Sequence, residues 1–241
     1  MKFRNLLTAT MLTAVCAAAL SSLTGCKKLA LQKDYSRVMD TVDAHVNMSA
    51  WDYLKKRALG TVSSDQIWKT FYDAILYSEI DTLEYTKPNR TYIFLNTEAI
   101  TRTNNNLADV GIYAAIQVNG KNGTKLTDYP KAFLKNYLSY LIIDGVYNHY
   151  TLPPANPLEV KTLAPAGSFS SLPAGLTYNS SYPFYPNNDS KMKLKVLNSS
   201  PSNTSDYPIV INESRNVRTS SILATNGTIH AVDRFVTTVN P

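Results

Sequence analysis

Apolar residues recur at helical spacing in several stretches of the first half of the chain. Tyr35, Val38, Met39, Val42 and Val46 form one such face, and Trp51, Leu54 and Ala58 form another behind the candidate cap Ser49. Together they predict two helices, or one bent helix, ending at Gly60. Ser63 with Gln66 three residues on makes a capping box, and Ile67, Phe71, Ala74 and Ile75 give the helix behind it one apolar face. Asp128 and Pro130 open a further helix carrying Phe133, Leu134, Tyr137, Leu138 and Leu141, which Asp144-Gly145 stops.

Elsewhere the period shortens towards two. Thr91-Tyr92-Ile93-Phe94-Leu95 has strand composition, and Asn96 then caps a short helix starting at Thr97-Glu98-Ala99-Ile100. Residues 111–118 read as a strand between two Asn-rich turn clusters. Residues 153–190 carry seven prolines, which forbid most regular ladders and favour a long, sheet-covering loop. Met192, Leu194 and Val196 then alternate with Lys191, Lys193 and Lys195, as a half-buried strand requires. Residues 207–212 form another strand. Asn226-Gly227, two residues that tolerate positive φ, set a tight turn into the last one. Helices first and strands later predict an α+β fold with a β-sandwich core and the helices packed at one side.

Residues 222–236 also carry a specific resemblance. Ala224, Thr225, Asn226, Gly227, Ile229, His230 and Asp233 match in register the C-terminal signature of fasciclin-like domains. Residues 91–100 align without a gap to that family's first box, keeping Thr91, Glu98 and Ala99 and placing Asn96 at the cap, with Leu95 where the family has proline. The resemblance covers about residues 48–241. It implies a β-sandwich with helices, with the two boxes on neighbouring central strands, and a non-enzymatic role in adhesion and extracellular contacts. In animal members integrin contact is attributed to a Tyr-His pair and an Asp-Ile pair. Here Tyr140 precedes Leu141 and Ser221 precedes Ile222, so neither pair is present.

The N-terminal stretch changes the setting. Lys2 and Arg4 precede a mostly apolar run, and Leu23-Thr24-Gly25-Cys26 resembles the lipobox of a bacterial lipoprotein. Residues 1–25 are therefore expected to be a signal peptide and Cys26 the lipidated residue. Residues 26–33 would be a short tether, and 34–241 a single domain. The resemblance implies an outer-membrane lipid anchor. Lys27 and Lys28 follow the cysteine before the first acid, Asp34, and leave surface-exposed and periplasm-facing placement both open. With Cys16 removed and Cys26 lipidated, the domain would hold no disulfide and must rely on its packed core. Loss of Lys2 and Arg4 lowers the formal net charge of +6 by two, too little to suggest a nucleic-acid partner.

Candidate chemistry is sparse. His45, His149 and His230 are far apart in sequence, no metal or cofactor motif is present, and no Gly-x-Ser-x-Gly elbow marks a nucleophile. His230 is expected to be satisfied by backbone or by Asp233, and Asp233 to pin a turn. The candidate ligand contacts are the aromatics Tyr178, Tyr182, Phe184 and Tyr185 and the row Lys191, Lys193 and Lys195. The rings offer flat faces to sugars or proteins, or pack down to hold the loop. The lysines could meet an acidic glycan or lipid headgroup, or form a solvated face protecting an edge strand.

The sequence thus predicts a non-enzymatic, envelope-anchored adhesion or ligand-binding module with protein or glycan partners. One alternative is a glycan-capture lipoprotein feeding a polysaccharide uptake system through the 178–185 loop. Another is a hydrolase built on a carboxylate pair, for which Glu79, Asp81 and Glu84 are the nearest candidates.

Overall fold

The computed structural model describes residues 44–62, 64, 66–103, 110–153, 156–180, 186–196 and 208–238. Helix α1 (Ala50–Ala58) starts where Ser49 accepts a hydrogen bond from Asp52 N, and it buries Ala50, Leu54 and Ala58 at four-residue spacing. A 3-10 turn, Gln66–Trp68, leads into α2 (Lys69–Ser78), whose Phe71, Ala74 and Ile75 face inward as their spacing requires. Ile67 departs from that expectation. The tighter turn swings Trp68 into the core and leaves Ile67 exposed. Ser63 lies outside the described residues, as do Tyr35, Val38, Met39 and Val42. Val46 is not helical: His45 bridges to Leu223, and Val46 N donates to Leu223 O.

Strand β1 (Arg90–Leu95) is almost wholly buried, and α3 (Thr97–Thr101) follows it directly. The expected strand at 111–118 is half helix: α4 (Ile112–Ala115) precedes a shorter β2 (Ile116–Val118). Helix α5 (Lys131–Tyr140) begins after Pro130 and packs against α2. It stops earlier than Asp144-Gly145, because Ile142 and Ile143 enter β3 (Ile142–Asp144) and pair with β1. The Pro-rich stretch is also more ordered than its prolines predict. Leu158–Lys161 forms β4 and Leu176–Tyr178 forms β5, each fitted between prolines.

The remaining strands are β6 (Lys191–Val196), β7 (Ile209–Ile211), β8 (Arg215–Asn216), β9 (Thr219–Ala224) and β10 (Gly227–Val232). They complete two four-stranded sheets, ordered β3-β1-β10-β9 and β4-β6-β7-β8, beside a two-stranded ribbon β2-β5. Neither four-stranded sheet closes into a barrel, and the architecture is α+β. The sheets are stitched at one edge, where Ile143 bridges Thr162 and Leu163 N donates to Ile142 O.

One apolar cluster takes in helices and both sheets, and aromatic rings form its spine. Tyr113, Tyr129, Phe133, Tyr137 and Phe235 stack in sequence at centroid separations of 5.8, 6.5, 6.4 and 5.8 Å. Their polar tips stay satisfied: Tyr129 donates to Ile116 O, and Tyr137 to Val236 O. No described helix is long and apolar enough to cross a membrane.

Candidate functional site

The two motif segments meet along the centre of the first sheet. β1 and β10 run parallel, with Arg90 opposite Gly227, Thr91 opposite Thr228 and Leu95 opposite Val232. The ladder continues one step further, as Asn96 N donates to Val232 O. Asn96 Oδ1 then accepts from Ala99 N, capping α3, while Ala99 is fully buried. Neighbouring central strands are what the resemblance implies.

The tight turn expected at Asn226-Gly227 is present, and both residues do more there than turn the chain. The β9-β10 hairpin closes on the pair Ala224–Gly227, and Asn226 is not among the described residues with positive φ. Its side chain is the functional part. Buried at the hairpin tip, Asn226 accepts from Ala50 N at 2.8 Å, and its two amide hydrogens are shared among Tyr85 O, Lys87 O and Tyr92 Oη at 3.0, 3.1 and 2.7 Å. One amide thereby joins α1, the segment before β1, and β1 itself. Gly227 is needed because the strands approach closely: a Cβ there would lie 2.0 Å from Arg90 O.

Thr91 and His230 tie the same strands to the turn after β3. Thr91 Oγ1 donates to Gly145 O and accepts from Tyr147 N, both at 2.8 Å. His230 is fully buried, with Nδ1 accepting from Ser221 N at 3.0 Å and Nε2 donating to Tyr147 O at 2.8 Å. A carbonyl only accepts and an amide only donates, so the partners fix the neutral, Nε2-protonated tautomer. Burial pushes the imidazole down to about 4, helped by His149, whose Nδ1 contacts Ser221 Oγ. The expected backbone satisfaction of His230 is present. The Asp233 partner is not, since Asp233 pairs with Arg234 at 3.0 Å. Arg234 also reaches Glu98, which pairs with Arg102, so an ion-pair group links the ends of the two motif segments.

The ligand candidates divide. Tyr178 turns inward: its ring lies 6.3 Å from that of Phe235, and its hydroxyl bonds Thr238 Oγ1 at 2.8 Å. Burial raises its phenol to about 12. Tyr182, Phe184 and Tyr185 lie outside the described residues, as does Cys26. The lysine row is not on an edge, because β6 is flanked by β4 and β7. Those neighbours answer its charge. Lys191 pairs with Glu159 at 2.6 Å, and Lys193 and Lys195 lie 3.3 and 3.9 Å from Glu213.

The carboxylates weighed for hydrolysis have structural partners. Glu79 pairs with Lys131, which lowers the carboxyl pKa. Asp81 caps the 3-10 turn Thr82–Tyr85 through Leu83 N, and Glu84 pairs with Lys87. Among the described residues no three His, Cys, Asp or Glu side chains are grouped to hold a metal ion. Sequence reasoning missed Tyr92, Tyr85 and Ala50 as partners of Asn226, since a contact across 134 or more positions leaves no local pattern.

No family model matches the chain, and no curated protein does. Among solved structures, a FAS1 domain pair from the insect cell adhesion molecule fasciclin I is similar over 73% of this chain at 14% identity, with a TM-score of 0.43. The chain spans 47% of the length of that pair.

Proposed function

We propose that this chain is a lipid-anchored, fasciclin-like binding module of a bacterial outer membrane, making adhesive protein or glycan contacts without chemistry on its ligand. One observation carries the reading: the polar side chains that define the motif are spent on the scaffold. Asn226 uses its amide on four partners and His230 both ring nitrogens. Thr91 and Asn96 are bonded internally. Residues so occupied position strands and are poor acids, bases or nucleophiles. Ligand contact then falls to surfaces outside the motif, as is usual when one fold serves many functions.

The test is binding of the full chain, in detergent micelles, to arrayed glycans and immobilised matrix proteins, beside a variant with Tyr182, Phe184 and Tyr185 changed to Ala. Retention by either array without ligand breakdown is the expected result. Turnover of a bound glycan would overturn the reading. Glycan binding lost in the folded variant would favour the glycan-capture alternative. Anchoring is checked separately by palmitate labelling, which Cys26→Ala should abolish.

A further inference from the structure

A surface cleft of about 350 Å³ lies beside the start of β1, walled by the residues around the turn Thr82–Tyr85, by α5 and by the chain just after β4. Its volume lies at the small end of ligand-site clefts, which run from about 300 to 1,000 Å³. Lys87, Arg90 and Lys135 bring three cations to it, against the acids Asp81 and Glu84. Ile80 and Leu163 add apolar surface.

Part of this polar capacity is unspent. Lys87 pairs with Glu84, and Arg90 uses one terminal nitrogen on Asp144. The other terminal nitrogen of Arg90 makes no hydrogen bond among the described residues. Lys135 makes no ion pair at contact distance, although its charge is felt by Glu79, and the Ser139 hydroxyl makes no hydrogen bond among those residues. An N–H, an ammonium and a hydroxyl lining one hollow suit an anion with oxygen acceptors. Asp81 and Glu84 suit hydroxyl donors, because each keeps an oxygen that makes no hydrogen bond among the described residues. The hollow is larger than a bare carboxylate needs.

We propose that this cleft binds a carboxylate-bearing sugar, a hexuronic acid unit. Arg90, Lys135 and Ser139 hold the carboxylate, Asp81 and Glu84 accept from ring hydroxyls, and Ile80 and Leu163 meet the C–H face of the ring. The assignment rests on the ligand-binding reading above and narrows its glycan branch.

The experiment is isothermal titration of the full chain in micelles with sodium glucuronate, glucose and glutarate, at low and high salt. Glucuronate is expected to bind, glucose not to, and glutarate to bind at least about tenfold more weakly for want of hydroxyls. Lys135→Ala and Ser139→Ala, on the outer part of α5, should melt like the parent chain. Lys135→Ala should weaken glucuronate about tenfold, and added salt should weaken it further. No heat with glucuronate, equal binding of glucose or glutarate, or full affinity in both variants would overturn the assignment. Array binding that persists in any of those cases leaves the broader reading standing and removes only this site.

Discussion

The side-chain amide of Asn226 donates to the hydroxyl of Tyr92 at 2.7 Å, joining the hairpin tip before the last strand to the strand 134 positions earlier. The contact fixes β10 beside β1 at the end where their parallel ladder begins. Asn226→Ala would leave Ala50 N and the buried Tyr92 hydroxyl short of a partner. Tyr92 still donates to Lys87 O, at 2.8 Å, so the larger cost falls on Ala50. The expected loss is about 3 kcal/mol, since each unsatisfied buried group costs about 1–3 kcal/mol. Urea unfolding monitored by tyrosine fluorescence measures it. A loss below about 1 kcal/mol would mean that the amide is dispensable.

Gly227 and Arg90 face each other one step along the same ladder. A methyl group at 227 would meet the Arg90 carbonyl at 2.0 Å, and a backbone oxygen in a central strand cannot step aside as a side-chain tip can. Gly227→Ala is therefore expected to cost about 3 kcal/mol or more, at the upper end for overpacking. Amide hydrogen exchange should show its effect first at Arg90, Thr91 and Thr228. Unchanged protection there, at unchanged stability, would contradict the close approach.

Local rules reached the elements that local chemistry decides. Ser49 and Asn96 cap helices, Phe71 and Leu134 face inward, and the alternation from Lys191 to Val196 is a half-buried strand. The failures share one cause, which is partnership across sequence. Ile142 and Ile143 continue the helical period of α5 but are claimed by β1, and Val160 sits among prolines yet pairs with Met192. In the motif, the spacing of Asn226, Gly227 and His230 was legible, while their physical work was not. Asn-Gly reads as turn chemistry, and the turn is there, but one residue also supplies hydrogen bonds and the other supplies room.

The lysines of β6 offer a contrasting case, where pairing is visible but energetically slight. Lys193 and Lys195 both approach Glu213, whose side chain is 37% exposed. Exposed pairs contribute about 0–1 kcal/mol because water and salt screen them. Changing both lysines to Ala should shift the urea midpoint by less than about 1 kcal/mol equivalent, with most of that difference gone at high salt. A larger, salt-independent loss would show that the row supports the sheet through packing of its methylene stems.

His230 makes stability depend on pH, and its sign follows from its burial. Its folded value is about 4, depressed from an ordinary 6.5 mainly by desolvation. Between those values the unfolded chain takes up a proton that the folded chain refuses, so stability rises with pH across the window. The contribution is complete above about pH 6.5 and is lost as pH falls towards 4, a difference of about 3 kcal/mol. Protonation would also place a donor at Nδ1 against Ser221 N, removing one of the two bonds that hold the ring. Carboxylates titrate in the lower part of the same range, so the measurement must be a difference between chains. Urea unfolding of the parent and of His230→Gln at pH 7, 5.5 and 4 provides it. The variant is expected to start less stable at pH 7 and to lose about 3 kcal/mol less on the way to pH 4. Parallel curves for the two chains would show that the buried imidazole is not the group that titrates.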